Sequence, residues 1–211
     1  MSRSFWTVER EWPGEVVYII GGGPSVLSQD LTRLKGSRVI VINSSVYAAP
    51  WADILFFGDW RWWNEPENAA AVADFGGRVV TTTQLKTHPK VKVCRKANPP
   101  GLATERDSLM QRWTSLTAAT NLAAHLVGRG GAIIWLGADG KITPERTHHH
   151  KPHPWPYKPG AYDKQLADLM TIRTSLWTMG VAAFNASPDT AWPDLLPQIK
   201  LEDVLDGRLA A

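Results

Sequence analysis

Two kinds of apolar segment alternate along the chain. Short continuous runs, rich in β-branched residues, occur at 16–20, 39–42, 54–57, 78–81, 132–136 and 181–184. Such runs mark strands buried on both faces. A shorter run at 91–93 predicts a further strand at a sheet edge. Between the runs, apolar residues recur at helical spacing at 26–34, 46–51, 60–75 (interrupted at Pro66), 115–127, 162–179 and 201–205. The clearest is 115–127, with Leu116, Ala119, Ala123 and Leu126 on one face and Gly130-Gly131 closing it. Residues 97–111 show neither period, and 141–160 carries five prolines and three consecutive histidines, too many breaks for regular structure. Strands alternating with helices predict an α/β fold, a mainly parallel Rossmann-like sheet with helices on both faces, in a single domain spanning 1–211.

Polar residues recur where the strands end: a GGGPS loop after the first, then Asn43, Asp59, Asp139 and Asn185. That rim is where open α/β sheets bind ligands. In the first loop Gly21, Gly22 and Gly23 let a ligand approach the backbone, and Pro24 suits the first helical position before Ser25. Free N–H groups at a helix start then make an anion site for a nucleotide phosphate. The alternative is a tight strand-to-helix turn with no ligand. The loop lacks the Gly-Lys-Ser/Thr of a P-loop, and Val26 stands where a dinucleotide fingerprint needs its third glycine.

Composition changes the picture little: 44% hydrophobic and 20% charged residues are ordinary for a globular protein, and no apolar run is long enough to span a bilayer. The N-terminal residues lack the apolar core of a signal peptide, and the single Cys94 cannot form an internal disulfide, so a cytoplasmic location is expected. The net charge of +3 is uneven: Lys86, Lys90, Lys92, Arg95, Lys96, Arg106 and Arg112 face only Glu105 and Asp107 between residues 84 and 112. Such a cluster can steer an anionic partner such as DNA, or be a solvated loop. Eleven tryptophans, three of them in DWRWWNEP, fill cores or line grooves that stack bases and sugars.

Several residues can carry chemistry. Asn43, Ser44 and Ser45 can bind a ribose or base edge, or cap the next helix. Asp53 and Asp59 flank the third strand, and carboxylates beside a phosphate site can hold Mg²⁺; Asp139 faces the same rim. Thr114 and Ser115 offer a second anion-binding helix start or a plain N-cap. The loop THHHKPHPWPYKPGAY brings His148, His149, His150 and His153 for proton transfer, with Lys151, Tyr157 and Lys158 to stabilise a leaving phosphate. His150 is the first choice as base, then His153. Zinc lacks a Cys or carboxylate at ligand spacing in this cluster, and Cys94 has no evident base beside it.

GGGPS, VINSS, FFGD, TSL, LGAD and a late His/Tyr loop, in this order, resemble the sialyltransferase-like superfamily that includes the MptE-like pterin pyrophosphokinases. The chain is most similar to its small stand-alone bacteriophage members, over residues 16–205. The resemblance implies a sialyltransferase-like variant of the GT-A Rossmann-type sheet, with a nucleotide-sugar donor at its C-terminal rim. It carries nucleotide binding onto Gly21, Gly22, Gly23, Ser25, Asn43, Thr114, Ser115, Asp139 and Tyr157, with Leu116 standing where the family has glycine. Catalytic roles fall to His148, His150, His153 and Asp59. Three activities follow as expectations: sugar transfer to an acceptor hydroxyl, such as one on a modified base of phage DNA; Mg²⁺-dependent pyrophosphate transfer using Asp59 and Asp139; or non-catalytic binding of nucleotide or nucleic acid.

Overall fold

The computed structural model describes residues 4–83, 88–98, 100–142, 146, 148–151 and 160–208. Seven strands form one wholly parallel sheet: β1 (Val16–Ile20), β2 (Arg38–Ile42), β3 (Ile54–Phe57), β4 (Arg78–Thr81), β5 (Val91–Val93), β8 (Ala132–Leu136) and β9 (Ala182–Asn185). Their order is β5-β4-β3-β2-β1-β8-β9. The chain thus steps outward from β1 to β5, returns to the other side of β1 at β8, and ends at β9. The reversal between β1 and β8 is a topological switch point, whose crevice lies beyond the C-terminal ends of those strands.

Alternate residues of each strand feed two cores, because successive side chains of a strand point to opposite faces. Val17, Ile19, Ile40, Ile42, Ile54, Phe56, Ile133 and Trp135 pack under α3 (Ser115–Val127), α4 (Ala161–Met170) and α5 (Ile172–Met179). Tyr18, Ile20, Val39, Val41, Leu55, Phe57, Ile134 and Leu136 pack under α1 (Trp60–Asn64), α2 (Pro66–Asp74), α6 (Leu201–Leu205) and three 3-10 turns. Burial on both sides explains why these strands read as continuous apolar runs.

Three expectations need correction. Residues 26–34 are not one α-helix but two 3-10 turns, Pro24–Ser28 and Leu31–Leu34, separated where the Asp30 carboxylate takes the Thr32 N–H and hydroxyl. The long helix expected over 162–179 is two, meeting at Thr171, whose hydroxyl donates to the Asp168 carbonyl (2.7 Å) and whose oxygen accepts the Gly101 N–H (3.0 Å). The featureless 97–111 borders a small parallel pair, β6 (Arg95–Ala97) with β7 (Ser108–Met110). Its stability is not local: Asn121 of α3 accepts the N–H groups of Ala103 and Met110 and donates to the Ala103 carbonyl.

α3 is fixed to the sheet by a polar contact within its apolar face. The Trp135 indole N–H donates to the Thr120 hydroxyl (3.0 Å), which itself donates to the Leu116 carbonyl (2.8 Å). Both side chains are fully buried. Thr120→Val keeps the volume but strands the indole N–H, so unfolding in urea should show a loss of about 1–3 kcal/mol.

Candidate functional site

At the switch point the pairing of β1 and β8 continues past both strands. Gly21 N–H donates to the Leu136 carbonyl (2.8 Å) and Gly23 N–H to the Gly137 carbonyl (2.9 Å). The approach is close enough to require glycine. A Cβ on Gly21 would lie 2.9 Å from the Gly137 oxygen, and one on Gly137, whose φ is +66°, 2.7 Å from Val26 and 2.8 Å from the Gly21 oxygen. Two residues on, Asp139 reaches back across the gap. Its carboxylate accepts the Ser25 N–H (2.8 Å) and the Ser25 hydroxyl (2.5 Å), and a Cβ on Gly23 would fall within that carboxylate.

The expected anion cradle is therefore filled by the protein. Ser25 gives both its donors to Asp139, Gly21 and Gly23 give their N–H groups to β8 and its loop, and the following turn has no α-helical dipole. Asp139 is buried, and desolvation pushes its carboxyl above the usual range against the opposing Ser25 hydrogen bonds.

The histidine loop comes down on this same place. His149 N–H donates to the Gly22 carbonyl (3.0 Å), and its Nε2 is 3.0 Å from the Ser45 hydroxyl. Ser45 has one proton and gives it to the Gly21 carbonyl (2.9 Å), so the imidazole must donate to Ser45. This pair is thus not a nucleophile with its base: the hydroxyl is wholly buried and the ring holds it from the wrong side. Burial, then the neighbouring His150, lowers the His149 pKa to about 4. His149 anchors the loop.

Its neighbours face outward over the glycines. The His148 and His150 rings stack with centroids 4.8 Å apart, and a Cβ on Gly22 would sit 3.0 Å from His148 Cδ2 and 3.4 Å from His150 Nε2. His150 Nδ1 is 2.9 Å from the Lys151 carbonyl. A carbonyl only accepts, so Nδ1 carries the proton, and Nε2 lies close to Gly22. Burial lowers the His150 pKa, opposed by the Lys151 carbonyl. His153 and Tyr157 lie outside the described residues.

The remaining candidates separate by position. Asn43 ends β2 with φ +51°, and its Oδ1 is buried without a partner. It does not cap the following turn, which has no side-chain cap; Ser44 instead accepts the Trp62 indole N–H (2.8 Å). Asp59 caps α1 and grips Arg61 (2.7 Å). Asp53 precedes β3 and accepts the Val39 N–H at the N-terminal ends of the strands, whereas Asp59 follows β3, so the two do not form a pair. Thr114 caps α3 through the Leu116 N–H (3.1 Å), and Ser115 is half-buried beside it. Among the described residues no three His, Cys, Asp or Glu side chains gather as metal ligands. Much of the basic segment is engaged internally: Lys90 binds the Ala73 and Phe75 carbonyls, Arg95 pairs with Asp107, and Arg106 binds the Val8 carbonyl. Lys92, Lys96 and Arg112 remain at the surface.

Ser45 and His149 are candidates singly, but their pairing is not legible in the sequence, and Asp168 is not a candidate at all. Ser45 and His149 matter through each other, across 104 positions. Asp168 is a polar position inside a helix, yet its buried carboxylate accepts the Trp113 N–H just ahead of α3 (3.3 Å) and is raised by desolvation. No protein-family model and no curated protein matches the chain.

Two outcomes test this geometry. His149 takes a proton near 6.5 when unfolded and near 4 when folded, so its contribution to stability is full above pH 6.5 and is lost as pH falls toward 4. The loss should approach about 3 kcal/mol in urea titrations, and His149→Gln, which can still donate to Ser45, should flatten that slope. Gly23→Ala should lower the melting temperature by several degrees because Asp139 must move, whereas Gly76→Ala, with nothing within 4 Å of its Cβ, should not.

Proposed function

We propose that the protein is a nucleotide-dependent transferase, a glycosyltransferase that moves a sugar from a nucleotide-sugar donor to an acceptor hydroxyl. One observation carries the reading: the stacked His148–His150 pair lies over Gly22 at the switch point of a parallel sheet. The donor would lie along the rim from Gly22 toward Asn43, whose unpartnered Oδ1 suits a ribose hydroxyl. His150, its Nδ1 proton committed to the Lys151 carbonyl and its Nε2 close to Gly22, takes the acceptor proton. The acceptor oxygen then bonds to the anomeric carbon, and the bond from that carbon to the phosphate oxygen breaks with its electron pair on the leaving nucleotide. Exposed Lys151, beside His150, can approach that phosphate.

Pyrophosphate transfer with Mg²⁺ fits these residues less well. Asp59 would have to release Arg61 and Asp139 its Ser25 donors before either could hold a metal. A DNA acceptor would draw on Lys92, Lys96 and Arg112, the cations of the basic segment that stand at the surface. No helix among the described residues is long and apolar enough to cross a membrane, which fits substrates met in water.

The test begins with thermal-shift titration against CMP, UDP, GDP and ATP, followed by turnover with the matching nucleotide sugars. His150→Gln should lose about 10²–10⁴ in kcat while nucleotide affinity stays near that of the parent protein. Because burial lowers the His150 pKa, the rate should hold as pH falls through 6.5 and drop only at more acidic pH. Full turnover in His150→Gln would remove the base from the scheme. Nucleotide binding with no transfer to any acceptor would leave a binding protein.

A further inference from the structure

Beyond the glycine and histidine loops, the same rim carries a second group of residues, at the ends of β3, β4 and β7. A Cβ on Gly58, the residue after β3, would collide with the Gln111 side chain, so Gln111 lies directly against the end of that strand. Gln111 is nearly buried, and its Oε1 accepts the hydroxyl of Thr82, the residue after β4. With Oε1 on Thr82 the two Nε2 protons are turned away from that hydroxyl, and they make no hydrogen bond among the described residues.

Two tryptophans lie close to this amide along the chain. Trp60, two residues after Gly58, is 51% exposed, and Trp113, two residues after Gln111, is 52% exposed. Large half-exposed rings are costly to leave in water, and their shared setting differs from that of Trp62, which is wholly buried two residues further along α1. Trp113 carries a cation as well: Lys164 Nζ lies 4.8 Å from its ring centroid, and Arg112 is exposed beside it. Exposed aromatic rings and an amide donor on neighbouring strand-end segments, with cations alongside, match a planar base that bears both hydrogen-bond acceptors and phosphate.

We propose that Trp60, Gln111 and Trp113 form a nucleobase-binding subsite, separate from the switch-point crevice. β3 is two strand spacings from β1, about 10 Å, so a ring held here would reach neighbouring chemistry at Gly22 without occupying it. The subsite does not depend on the transferase reading, because these rings would hold a base whether or not a sugar is moved. The base can belong to a free nucleotide or to single-stranded nucleic acid.

Calorimetric titration with UMP, CMP, GMP and AMP, and with a twelve-residue single-stranded oligothymidylate, separates the two sources. Trp60→Ala and Trp113→Ala should each weaken binding of the preferred probe about ten-fold or more, and Trp113→Phe should restore most of the loss. Trp177→Ala is the control, since Trp177 is 82% exposed on α5, away from the rim. Circular dichroism melts of each variant should match the parent, because the truncated rings are half in solvent. Binding of mononucleotides as tightly as the oligomer would identify a free nucleotide; oligomer binding that weakens with added salt would identify a strand. If neither probe binds, or if both alanine variants bind like the parent while Trp177→Ala does not, the subsite is wrong. A His150 variant that loses turnover but keeps this tryptophan dependence would leave the subsite intact and bear only on catalysis.

Discussion

The site depends on the backbone contact between Gly21 and Gly137. Parallel strands normally part beyond their last ladder bond, and that parting opens the crevice of a doubly wound sheet. Here two more hydrogen bonds hold β1 and β8 together past their ends. The floor of the crevice is thereby raised, and the space a ligand would use is moved upward, onto Gly22 and the side chains above it. With the floor closed, the Asp139 carboxylate can span to Ser25, and the carbonyls of Gly21 and Gly22 are turned to receive Ser45 and His149. Gly21 and Gly23 are required by that closeness before any ligand is considered, whereas Gly22 meets only the His148 and His150 rings.

Burial then sets the chemistry of the groups brought together. Asp139 is raised and His149 and His150 are lowered, and in all three desolvation is the largest cause. One shielded environment favours the less charged form of each group. Asp139 nonetheless has two Ser25 donors to hold its charge, whereas for His149 the Gly21 backbone raises the pKa less than burial lowers it. The carboxylate therefore serves as a fixed strut and the imidazoles as neutral rings.

The sheet was legible in the sequence because burial on both faces writes each strand as an unbroken apolar run, as at 16–20 and 132–136. α3 was legible for the complementary reason, a regular period ended by glycine. What failed locally was decided at long range. The chain after GGGPS had helical spacing, yet the Asp30 carboxylate takes the Thr32 N–H and starts a new turn there, and Ser25 is drawn to a residue 114 positions away. β6 and β7 are three residues each and are held by a side chain of α3, so no pattern within 97–111 could announce them. Within the site, the rim positions of Asn43, Asp59 and Asp139 followed from strand ends alone. The assignment of roles did not, because a carboxylate at a strand end reads the same whether it faces a ligand or, like Asp59, an arginine two residues on.

The three adjacent histidines show how sequence proximity can separate functions. A bend at 148–150 sends His149 inward while the His148 and His150 rings stack on each other. The inward ring is neutral and its one proton is committed to Ser45, so it cannot also relay a proton to a substrate. It still bears on its neighbours: a charge on His150 disfavours a charge on His149, and the reverse must hold, since the interaction is mutual. Acid that protonates His150 therefore makes the anchor harder to charge and leaves the loop seated. The anchor yields only at lower pH, when its own protonation is forced.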